Sequence, residues 1–172
     1  MGVQIVLCLE TRKQAATDYV YISETIKRFY AINNQTKISP IYMESKARYN
    51  SPAVLKEIKQ KKRTYVSGET KIIYCIDTDR YEMDMNHSRE LSEVSQFCQV
   101  NGYDLIWFCH DIEEVYLGKR VTKEQKVKEA GNFRRKSKIQ EIAVENLTSN
   151  SKKVHRSNIL IVLDQYMDKI QG

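Results

Sequence analysis

Ile72-Ile73-Tyr74-Cys75-Ile76-Asp77-Thr78-Asp79 is a short apolar run that stops on two carboxylates one residue apart. Its β-branched and aromatic residues predict a buried strand. In an open parallel sheet, ligands bind beyond the carboxyl ends of the strands. A D-x-D at that position puts two acids on the rim, where hard cations take oxygen ligands. The alternative is that Asp77 caps the next helix and Asp79 is solvated. The N-terminus repeats the pattern: Val3-Gln-Ile-Val-Leu-Cys-Leu9 is apolar and stops at Glu10. If the two strands are parallel neighbours, Glu10, Asp77 and Asp79 meet at one sheet edge.

Around these two strands the chain alternates. A helix is expected over about 17–31, with Tyr19, Ile22, Ile26 and Phe29 on one face and Thr17 as its cap. A second strand is expected over about 38–43, where Pro40 favours a sheet edge. Ser51-Pro52 starts a helix that ends in the basic run at Lys61. A third helix is expected over about 88–100, closed by Asn101-Gly102. A fourth strand is expected over about 103–109. It is followed by His110, Asp111, Glu113 and Glu114, where Asp111 either caps a helix starting at Ile112 or joins a cation site. Beyond residue 112 no further strand is expected, and a last helix is expected from about Ser157 with Ile159, Leu163, Tyr166 and Ile170 on one face. Four strand–helix alternations predict an α/β fold with a mostly parallel, four-stranded sheet flanked by helices. The 172 residues read as one domain, with an α/β core over 1–111 and a helical extension over 112–172.

No stretch has the length of a transmembrane helix, and the apolar N-terminus lacks the flanks of a signal peptide. A cytoplasmic setting without a membrane partner is expected. Cys8, Cys75, Cys98 and Cys109 each lie among apolar neighbours, with no pair at metal-ligand spacing, so reduced, buried thiols are expected rather than a zinc site or a catalytic thiol.

The net charge is +6, concentrated in one block. Lys119, Arg120, Lys123, Lys126, Lys128, Arg134, Arg135, Lys136 and Lys138 face only Glu124 and Glu129, and the rest of the chain is close to neutral. Such a block suits phosphate backbones, or it is a solvated helical face.

The order of features resembles the Toprim domains of primases, topoisomerases and OLD-family nucleases, and within them the small RloB-like proteins of bacterial defence and restriction loci. Three segments carry the resemblance. They are Val6–Glu10 followed by Thr17–Tyr21, then Tyr74–Arg80, and then Ile106–Leu117. Thr11 stands where the family has a glycine. The resemblance implies a Toprim-like, Rossmann-like fold and a Mg²⁺- or Mn²⁺-dependent nuclease of DNA or RNA, in phage defence or a mobile-element locus. In that reading Asp77 and Asp79 hold metal, and Glu10 binds metal or moves a proton. Glu113 adds a carboxylate, the basic block holds the nucleic-acid backbone, and an ATPase is a candidate partner. Two other readings stay open. One is a catalytically silent nucleic-acid-binding or toxin-like protein, and the other is a domain acting on small phosphorylated molecules at the same rim.

Overall fold

Along the first strand, β1 (Gly2–Leu9), burial alternates between two cores. Ile5, Leu7 and Leu9 join one apolar cluster, and Val6 and Cys8 join another. A strand with period-2 side chains buried on both faces needs helices above and below the sheet. The computed structural model, which describes residues 1–171, has that layering.

After β1 come α1 (Thr17–Phe29), β2 (Thr36–Tyr42), α2 (Pro52–Thr64), β3 (Gly68–Asp77), α3 (Met85–Asn101) and β4 (Asp104–Cys109). Then follow α4 (Ile112–Leu117), α5 (Lys126–Arg135), α6 (Val144–Leu147), β5 (Arg156–Ser157) and α7 (Ile159–Leu163). The sheet order is β2-β1-β3-β4-β5. The first four strands run parallel and β5 is antiparallel to β4. β2 is an edge strand, which accommodates Pro40.

One face carries α2 and α3, whose Val54, Ile58, Leu91, Val94 and Cys98 pack on Val6, Ile72, Tyr74 and Ile76. The other carries α1, α4, α5 and α7 on Leu7, Ile73, Cys75 and Phe108. There Tyr21 stacks on Tyr116 at 5.3 Å and meets Phe133 edge-on at 4.9 Å, tying α1, α4 and α5 together. Residues after 111 therefore supply one wall of the core rather than an appendage. All four cysteines are free and buried.

Several expectations need correction. The sheet has five strands, not four, and the C-terminal part is not purely helical. β5 has only two residues, too few to leave a periodic signature. Its pairing is extended by a side chain: Asn158 Oδ1 accepts from the Trp107 amide and its Nδ2 donates to the Leu105 carbonyl, both at 2.9 Å. The last helix ends at Leu163. Residues beyond it return to α1, where the Ile170 amide donates to Phe29 O at 3.0 Å and the Ala31 amide to Asp168 O at 2.8 Å. Thr17 is the first residue of α1, and its cap position is Ala16 at φ 49°. α3 starts earlier than its apolar face, because Asp84 accepts from the amides of Asn86 and His87 at 2.8 and 3.2 Å. It closes on Gly102 at φ 68° as expected.

Replacing Asn158 with alanine leaves the Trp107 amide and the Leu105 carbonyl unpartnered at a covered sheet edge. We expect a loss of roughly 2–3 kcal/mol, read as a lower urea midpoint with unchanged slope.

Candidate functional site

β2 and β3 lie on opposite sides of β1, so the strand order reverses there. The crevice between the carboxyl ends of β1 and β3 is the switch point where open α/β sheets bind ligands. The two strands read from sequence are the ones that flank it. Glu10 reaches across and accepts the Asp77 amide at 2.5 Å. Asp77 Oδ1 accepts the Ile112 amide at 3.0 Å, so it caps α4 rather than the helix that follows it in sequence. Asp111 caps the same helix through the Glu114 amide at 2.8 Å, which matches the capping reading of that residue. Thr78 is buried beneath the turn, and Asp79 follows at φ 52°. That left-handed conformation is one that aspartate tolerates better than most residues.

Two lysines enter the same rim. Lys46 lies in a short turn after β2, is buried, and places Nζ 2.6 Å from Asp79 Oδ2. Lys126 opens α5 and places Nζ 3.7 Å from Glu113 Oε1. With Glu10, Asp18, Asp77 and Asp79 they line a cleft of about 410 Å³. Lys46 and Asp18 were not singled out as site residues in the sequence. Both follow parallel strands toward the same edge, Lys46 after β2 and Asp18 in the first turn of α1. The rule that picked out Glu10 and Asp77 therefore reaches them once β1 and β2 are known to be parallel. Lys126, expected on a phosphate backbone, turns inward instead.

Burial dominates the electrostatics. It raises Glu10 to about 7, with Lys46 and the Asp77 amide opposing and Asp79 adding to the rise. It lifts Asp77 and Asp18 well above the ordinary carboxylate range, and each is pushed further by Glu10 and Glu113. Glu113 is raised by burial against the pull of Lys126, and neither of its oxygens has a hydrogen-bond partner. Burial disfavours the cationic form of Lys46 and Lys126, but the surrounding acids outweigh it and raise both.

The donor set of Glu10, Asp18, Asp77 and Glu113 is all oxygen, the chemistry a hard divalent cation prefers. Its spacing is wider than a preformed site. Among the described residues, the group of three whose ligating atoms lie within 4.8 Å of one another is Glu82, Cys109 and His110, not the acids of the rim. Asp79 is held off by Lys46, and Asp77 is turned to α4.

The basic block is only partly available. Lys119 pairs with Glu129 at 3.9 Å, Arg120 with Glu114 at 4.0 Å and Arg134 with Glu24 at 3.0 Å, while Arg135 bonds Asn132. Lys123, Lys128 and Lys136 are exposed and Lys138 partly so. Among the described residues no helix is long and apolar enough to cross a membrane. Comparison with models of protein families, with curated proteins and with solved structures returns no match.

A buried carboxylate with a raised pKa binds its proton more tightly in the folded chain than in the unfolded one. Its favourable contribution is complete below the unfolded value and is lost as pH rises through the folded value. For Glu10 that window runs from 4.5 to about 7, and the shift corresponds to about 3 kcal/mol. Asp18, Asp77 and Glu113 act in the same direction. We expect the Tm to fall between pH 5 and pH 8, and Glu10→Gln to flatten that fall, as measured by calorimetry across the range.

Proposed function

We propose that the chain is a divalent-cation-dependent phosphodiesterase acting on nucleic acid, with its chemistry at the β1/β3 crevice. The observation that carries this reading is the set of desolvated carboxylates at the switch point, with Glu113 buried and, among the described residues, without a hydrogen bond and met only by Lys126 at 3.7 Å. Buried carboxylates crowded together are costly, and a bound Mg²⁺ or Mn²⁺ would relieve that cost. Asp77 and Glu113 are the residues that would hold it, with Asp18 beside them and Glu10 as a further ligand or as the proton-moving group; Asp79 would join only once Lys46 releases it. When bound, such a cation polarises a phosphate oxygen and stabilises the charge of the transition state.

The remaining chemistry belongs to the chain. In the metal-free site burial raises Glu10 to about 7, and a cation on the neighbouring acids would lower it again, which leaves Glu10 to accept a proton where it is not itself a ligand. Lys46, held by Asp79, offers a fixed positive charge to a phosphate at the crevice mouth. Lys123, Lys128 and Lys136 give the exposed charge that a nucleic-acid backbone needs. By the resemblance to Toprim and RloB-like proteins, the setting is phage defence or a mobile element, with an ATPase as candidate partner.

A silent nucleic-acid-binding protein is the second reading. It is favoured by the Lys46–Asp79 and Lys126–Glu113 pairs, which supply internally the charge a metal would bring. The two readings part on one assay: plasmid DNA, single-stranded DNA and tRNA incubated with Mg²⁺ or Mn²⁺. We expect cutting by the wild type and at least about a hundredfold loss in Asp77→Asn, a drop of about 2.7 kcal/mol in transition-state stabilisation. Binding that survives EDTA, with no cutting of any substrate, selects the silent reading.

Binding itself should weaken steeply with salt. Lys123→Glu combined with Lys136→Glu should weaken it about tenfold or more. Arg134→Glu combined with Arg135→Glu should weaken it too, and also cost some stability through the lost Glu24 pair. Unchanged affinity in both double variants removes the basic block from the reading.

A further inference from the structure

β4 ends in Cys109, and His110 follows it. The next turn along the sheet edge, between β3 and α3, brings Glu82 to the same point. The ligating atoms of these three side chains all lie within 4.8 Å of one another. His110 is 8% exposed, and its Nε2 stands 3.1 Å from both Glu82 oxygens. Its Nδ1 has no hydrogen-bond partner and sits 3.6 Å from Glu114 Oε2. Glu114 is itself fixed by Arg80 at 3.5 Å.

We propose that Glu82, Cys109 and His110 form a site for a borderline-soft divalent transition cation of the zinc class, separate from the hard-oxygen rim at β1/β3. A thiolate, an imidazole and a carboxylate suit such a cation and do not suit Mg²⁺. Glu114 lies on the side of the far ring nitrogen, where metal-bound histidines carry a carboxylate partner, at 3.6 Å and without a hydrogen bond to the metal-free ring. Three protein ligands leave one coordination position for water or an anion. His110 also lines a cleft of about 330 Å³, whose wall includes Arg80, Arg120, Asp84 and Glu114. Metal binding displaces the thiol proton of Cys109 to solvent and involves no electron transfer. The site does not depend on the rim being a nuclease centre.

The test is titration of metal-free full-length protein with Co²⁺, which reports a thiolate ligand through a sulfur-to-cobalt charge-transfer band. One Co²⁺ per chain with that band, displaced by Zn²⁺, is expected. Cys109→Ser should abolish the band. Glu82→Gln alters an exposed side chain and should weaken Co²⁺ binding by about tenfold or more with the fold intact. Cys75→Ala, beneath the acidic rim, and Asp77→Asn, within it, should both keep the band. Absence of the band, its survival in Cys109→Ser, or unchanged affinity in Glu82→Gln would overturn the proposal and leave Glu82 and His110 as an imidazole–carboxylate hydrogen bond.

Discussion

The parallel pairing of β1 with β3 is the constraint on which the other features rest. It begins at a close approach of two glycines: a Cβ on Gly68 would lie 1.8 Å from the Gly2 carbonyl oxygen. Only bare backbone lets the strands start together there. From that point the register runs Gly2 with Gly68 through to Leu9 with Cys75. Glu10, one residue past Leu9, is thereby brought beside Asp77, two residues past Cys75, and the hydrogen bond from the Asp77 amide to Glu10 closes the ladder with a side chain. With β2 on the other side of β1, the same pairing creates the crevice.

A cluster of acids under partial burial is unfavourable unless something opposes it. Three kinds of group do so here. Backbone amides at the start of α4 take Asp77 and Asp111. Lys46 and Lys126 bring charge from β2's exit and from α5. The acids themselves hold protons more tightly, as Glu10 at about 7 shows. Glu113 escapes all but the loose contact with Lys126, and so it is the residue whose burial most invites a further ligand. The aromatic stack of Tyr21, Tyr116 and Phe133 holds α4 in place, which keeps Glu113 from swinging out to solvent.

Much of this was legible along the chain. The strand at 72–77, the strand at 3–9, the Ser51-Pro52 helix start and the Asn101-Gly102 stop are local signals, each contained within a few residues. Glu10, Asp77 and Asp111 were readable as rim residues for the same reason. Other features were not. β5 is two residues long, and what it contributes depends on Asn158 finding the β4 edge, a contact across about fifty positions in sequence. The apolar spacing of Ile159, Leu163, Tyr166 and Ile170 imitated a helix. The chain instead turns back after Leu163, where Tyr166 bonds Asp104 and Ile170 reaches α1.

The sequence by itself determined the kind of elements, their order and the acids that end two of them, because periodicity and turn chemistry act between near neighbours. Only the tertiary structure decided which charges meet. Lys46 with Asp79, Lys126 with Glu113, and Glu82 with His110 and Cys109 are pairings set by strand order and helix docking. The energies involved come from burial that exists only once the sheet is covered on both faces. Lys126 and Lys128 look alike in one basic run along the chain, and the docking of α5 beside Glu113 is what puts the first into the crevice and leaves the second in solvent.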